Sequence, residues 1–170
     1  MRRSPRRNRI PHIIAIATLL AMSAGGGVAL SRYQANQRKI AQCTQLVDRV
    51  NQGYAKAIAF QGQDAAALSH LADDLATVAT ELRAIELTDE TLTQQRQRFA
   101  QAYRELSDAY RQMGTALNTA ETAPKNESGR QSVRQAQADV KAAGAQAHQA
   151  ARYVDELAVQ INQYCGVASK

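Results

Sequence analysis

Tryptophan is absent from this 170-residue sequence, which has only two phenylalanines, two cysteines and three prolines. The prolines stand at positions 5, 11 and 124, so none interrupts a helix between His12 and Ala123. Acid is missing from the N-terminal end, where the first acidic residue is Asp48. What fills the chain instead is rich in Ala, Gln, Leu, Arg and Glu, all good helix formers. An all-helical domain follows.

The formal charge of +6 comes largely from one place. Five arginines (Arg2, Arg3, Arg6, Arg7, Arg9) precede an apolar stretch, and without them 16 basic residues face 15 acids. A nucleic-acid binder concentrates basic charge on its folded part; this chain does not, and no nucleic-acid partner is expected. From Ile13 to Leu30 no side chain is charged. As a helix that stretch spans about 27 Å, close to the ~30 Å hydrocarbon core of a bilayer. The arginine cluster keeps its own side cytoplasmic, so the bulk of the chain is expected to be exported.

Residues 1–9 therefore read as a cytoplasmic tip and 10–30 as a single-pass anchor in the bacterial cytoplasmic membrane. The alternative is a signal peptide cleaved near residues 23–27, where small residues flank Met22 and run through Gly25-Gly26-Gly27, leaving a soluble periplasmic or secreted protein. No Cys follows the apolar run, which argues against a lipoprotein. Arg6-Arg7 lacks the surroundings of a twin-arginine signal.

Residues 31–165 carry four apolar stripes, over about 31–60, 64–86, 89–120 and 129–164, with 166–170 as a tail. The first stripe is read as Ile40, Cys43, Val47, Val50, Tyr54 and Ala57, ending at Gly62 as a left-handed cap. Asp64 is the expected N-cap of the second, which runs Leu68, Leu71, Leu75, Val78, Leu82, Ile85. Thr88 is the expected cap of the third, whose stripe is Leu92, Phe99, Tyr103, Leu106, Tyr110, Met113, Leu117, Ala120. Its one polar register position, Gln95/Arg96, reads as a helix end outrunning its neighbours, or else as a ligand or partner notch. After the loop Glu121–Gly129, Ser128 and Gln131 read as a capping box for the fourth helix. The fourth stripe is Val133, Ala136, Val140, Ala143, Ala147, Ala150, Val154, Leu157, Ile161, Tyr164.

Short turns between such stripes predict an up-down-up-down antiparallel four-helix bundle with coiled-coil-like heptads, ragged at one end because the second helix is short. A long helical hairpin or a coiled-coil dimer is the other arrangement these heptads allow. In an even-numbered bundle Cys43 and Cys165 lie at one pole, and an oxidising compartment predicts a disulfide between them.

Chemistry is sparse. There is no Glu-x-x-His pair for a di-iron bundle and no Cys-x-x-Cys-His for attached haem. His70 and His148 sit off the stripes. The adjacent acids Asp73-Asp74 and Asp155-Glu156 point away from a shared cleft, whereas catalytic acid pairs converge. The sequence predicts no catalysis, no cofactor and no metal. Two functions lead, behind which a catalyst or metal carrier using His70 and His148 stands as a third. One is a structural or interaction component of the envelope, held by residues 10–30 and partnered by another envelope protein or by itself. The other is an exported small-molecule-binding or sensory domain. In architecture alone it resembles the four-helix sensor domains of bacterial chemoreceptors, but no second apolar segment follows Cys165-Gly166, so signalling would need a separate partner. Its cavity would lie where Ala143 and Ala147 face Phe99, Tyr103 and Tyr110.

Overall fold

The computed structural model describes the backbone of residues 11–166 and the side chains of residues 33–166. The five arginines of the tip, and the side chains of the apolar segment on which the membrane reading rests, lie outside the described residues. Among the described residues no helix is long and apolar enough to cross a membrane. All the secondary structure described is helical: α1 (Pro11–Ala59), α2 (Ala65–Ala84), α3 (Glu90–Glu121) and α4 (Glu127–Cys165). The chain divides into two compact units, residues 1–40 and 41–170. The first holds the N-terminal part of α1. The second holds the rest of α1 with α2, α3 and α4, packed against one another around a single core.

The helix ends have identifiable causes. Asp64 caps α2 as expected, its Oδ1 accepting from the Ala67 N–H at 2.7 Å. The cap of α3 is Asp89, not Thr88. Gln42 of α1 occupies Thr88 from outside, accepting from its N–H (2.7 Å) and donating to its hydroxyl (3.1 Å). Asp89 then accepts from Leu92 N–H at 3.0 Å. The fourth helix also starts earlier than the capping box implied. Asn126 is its N-cap, accepting from Gly129 N–H at 2.9 Å, and the Ser128 hydroxyl donates to the Asn126 side chain. A side chain at Gly129 would strike the Pro124 carbonyl oxygen, 1.6 Å from where its Cβ would stand, so this tight entry admits only glycine. Gly62 is not left-handed. Gly166 alone among the described residues has positive φ, at 70°, and it closes α4.

Side-chain pairs show how the helices pass one another. Later residues of α1 meet earlier residues of α2 (Arg49 with Glu81, Lys56 with Asp74). Later residues of α3 likewise meet earlier residues of α2: Arg96 donates to the Arg83 carbonyl and Ser107 to the Ala72 carbonyl, beside which Arg111 pairs with Asp73. Asp89 and Gln95 of α3 meet Tyr164 and Gln160 of α4. Each successive pair therefore runs in opposite directions. The adjacent acids Asp73 and Asp74 diverge, one to α3 and one to α1. Exposed pairs of this kind contribute only ~0–1 kcal/mol each, so they set register more than stability. Stability resides in the core, where Leu46, Leu75, Leu82, Leu92, Phe99 and Leu157 are fully buried.

One pole is tied together. Cys43 and Cys165 form a disulfide across 122 residues. Beside it the Tyr164 hydroxyl donates to Asp89 at 2.8 Å, while Gln42 binds Thr88 and the Asp89 N–H. The start of the bundled part of α1, the α2–α3 turn and the end of α4 are thus joined in one network.

Two sequence expectations fail inside the bundle. The inward stripe of α1 is Cys43, Leu46, Val50 and Gly53, with Ile40 49 % and Tyr54 52 % exposed. Leu46 and Val47 are adjacent and both apolar, and the neighbouring helices turn Leu46 inward. Gly53 is inward because Tyr103 needs the room. A Cβ there would lie 2.6–2.8 Å from the end of the Tyr103 ring, whose hydroxyl donates to the Val50 carbonyl at 2.8 Å. Gly53→Ala is expected to lower stability by ~1–3 kcal/mol through overpacking, outweighing the ~1 kcal/mol that alanine gains in a helix. Urea unfolding followed by circular dichroism checks this, and a stabilised variant would contradict it. The second failure is the polar position of α3, which does not outrun its neighbours. Gln95 is buried against Gln160 of α4, and Arg96 donates to the Arg83 and Ile85 carbonyls at the end of α2. A cation there suits the negative end of the helix dipole. Gln95 Oε1 and Arg96 Nε make no hydrogen bond.

Candidate functional site

The residues expected to line a cavity are distributed through the core and its edge. Phe99 and Tyr103 are fully buried and belong to one core cluster with Ala147; Ala143 is buried outside that cluster. Tyr103 meets Gly53 of α1. The half-buried Tyr110 packs its ring against Phe60, centroids 6.2 Å apart and planes tilted by 59°. Burial first, and then the negative charge of Asp155, push the Tyr103 phenol above its ordinary range, so it stays a protonated donor to Val50. It is a structural hydroxyl locked into a backbone contact.

Surface hollows lie at the other end of α3 and α4. Gly114 of α3 lies against the first turn of α2, where the Ala65 carbonyl and Ser69 hydroxyl approach it. Beyond that point α3 continues to Glu121 and α4 begins at Glu127, so this hairpin extends past the start of α2. Here the stripes of α3 and α4 keep their helical spacing but lose neighbours. Ala116 and Ala136 remain buried between the two helices, whereas Leu117, Ala120, Val133 and Val140 are only half-buried. Small residues at 116, 120 and 136 leave an apolar slot of 170 Å³, walled by Leu117 and Val140. On the opposite flank lies a wider polar trough of 530 Å³, lined by Asp108, Arg111, Thr115, Thr119 and Asp139 among others.

His70 borders a hollow between α1 and α2 with Lys56 and Asp74, and His148 is exposed on α4. No group of three or more His, Cys, Asp or Glu suited to a metal gathers among the described residues. The half-covered hairpin end is the surface on which recognition can be argued. Sequence reading missed it as a site because its residues look like any other core stripe. Only the lengths of α1 and α2 reveal where cover stops. Compared with known proteins, the chain matches no family model, no curated protein and no solved structure.

Proposed function

We propose that this chain is a non-catalytic interaction protein of the bacterial cell envelope, held at the outer face of the cytoplasmic membrane by residues 10–30. In this reading its helical bundle offers a docking surface to another envelope protein. The half-covered apolar end of the α3–α4 hairpin is the observation that supports it, since stripes of this kind are buried elsewhere in the bundle. The slot's 170 Å³ favours a protein side chain over a small molecule, because ligand pockets run to about 300–1,000 Å³. A photo-reactive residue at Leu117 or Val140, activated in whole cells, should give a discrete cross-linked species containing one envelope protein. The same residue on the exposed outer face at Gln146 should not. If the protein left gently solubilised membranes alone, and neither position cross-linked to anything, the reading would be abandoned.

A further inference from the structure

The solvent face of α4 carries charge of one sign. Arg130, Arg134, Lys141, His148 and Arg152 are all exposed and follow one another in steps of four and seven residues, which sets them on one side of the helix. The ridge they form is about 33 Å long at 1.5 Å per residue. On that side, from Glu127 to Arg152, four arginines and lysines stand against the single carboxylate of Glu127. Asp139, the other acid in this stretch, lies on the opposite flank in the polar trough. Elsewhere Arg49, Lys56 and Arg111 are paired with acids of α2. Glu127 answers Arg130 and Arg134, whereas Lys141, His148 and Arg152 form no ion pair among the described residues. The ridge ends at Arg152, which shares a hollow with Glu105 and Glu156. Gly144 stands in the middle of it. Gly53, Gly62, Gly114 and Gly129 each press against neighbouring atoms, and Gly166 makes a left-handed turn. Gly144 does neither, and nothing lies within 4 Å of where its Cβ would stand. A glycine in mid-helix weakens the helix, and no contact among the described residues offsets that cost.

We infer that this ridge binds an acidic α-helix of another envelope protein, one whose carboxylates recur at steps of three and four residues opposite the cations. The inference rests on the docking role proposed above and supplies the partner's chemistry. Charge complementarity selects an anionic partner, since opposed potentials favour the matching surface and like charges exclude others. The relief of the face selects a helix. Gly144 on one side of Lys141, with the exposed Ala138 and Ala145 on the other, makes a low floor on which a second helix can lie near the close end of the usual 8–10 Å interaxial range. A lipid surface is a poorer match, because interfacial helices enter the headgroups through large apolar side chains and none is exposed between Arg130 and Arg152. The ridge also runs into the hairpin end. Arg130, Arg134 and Gln137 border a hollow of 540 Å³, and Gln137 borders the apolar slot as well. One partner helix therefore meets the cations and the half-buried apolar residues together, in a contact that weakens as salt rises.

The test replaces Ala145 on the ridge by p-benzoylphenylalanine in the full-length chain and irradiates whole cells, with Leu117 at the slot replaced likewise in parallel. Position 145 is expected to give one discrete adduct, mapping to a segment of an envelope protein that carries acids at the stated spacing. Arg134→Glu with Lys141→Glu should lower its yield by about tenfold or more, and changing the mapped acids to lysine should restore it. Gly144→Leu should lower the yield as far while leaving the helical circular dichroism unchanged, because its side chain enters open space. An adduct with phospholipid alone, an adduct on a segment without acids, or a yield indifferent to the charge reversal would each overturn the inference. Adducts from position 117 with none from 145 would overturn it and leave the docking role standing, and none from either position would remove both.

Discussion

Removing the disulfide should cost this domain more than any single surface change. Cys43→Ala with Cys165→Ala opens a link spanning 122 residues, and the expected loss is ~2–5 kcal/mol, most of it through the greater freedom of the unfolded chain. A domain of this size has only about 5–15 kcal/mol in total, so the melting temperature should fall by roughly 10 °C or more. The core should survive the change, because Leu46, Leu75 and Leu157 do not depend on the sulfur atoms for burial. The local effect should appear at the tied pole, where Tyr164 holds Asp89 and Gln42 holds Thr88. Faster amide exchange is expected in the last turn of α4 and the α2–α3 turn, and unchanged exchange near Phe99. A stability difference below 1 kcal/mol between the oxidised and the double-alanine protein would contradict this account of the pole.

Phe99→Ala should be the most damaging single substitution in the core. The ring is fully buried in the cluster that joins all four helices. It is one of only two phenylalanines in a chain without tryptophan. Its removal loses the transfer free energy of the ring and leaves a cavity, together ~3–5 kcal/mol. Because the core cluster to which it belongs is rich in alanine (Ala79, Ala100, Ala102, Ala109, Ala147, Ala150), it has few long side chains able to swing in and fill the space. Denaturant unfolding should show a lowered midpoint with an unchanged slope. A loss under 1 kcal/mol would mean the site collapses freely and that the core is looser than its burial implies.

What could be read from the sequence follows from how locally each feature is determined. The α2 stripe from Leu68 to Ile85 is entirely buried because the period alone specifies it. Cys43 and Cys165 pair because helix number and direction place them at one pole. Features set by a partner were not legible. Gln42, far from the turn in sequence, decides that Asp89 and not Thr88 caps α3. Tyr103 decides that Gly53 faces inward. Gln160 and the carbonyls ending α2 decide that Gln95 and Arg96 are structural residues in a packed layer. The inward line of α1 was hidden for a related reason, because Leu46 and Val47 are adjacent and both apolar, and only the neighbouring helices turn Leu46 fully inward and leave Val47 at the edge of the core.

The claim on which the functional reading depends is that the bundle is an exported, membrane-held domain. The most direct measurement is the intact mass of the native protein, taken without reductant from separated cell fractions. The account predicts a full-length chain in the membrane fraction, lighter than its reduced form by about 2 Da, the two thiol hydrogens lost on forming the bridge. A full-length chain in the cytosol with both thiols free would contradict it.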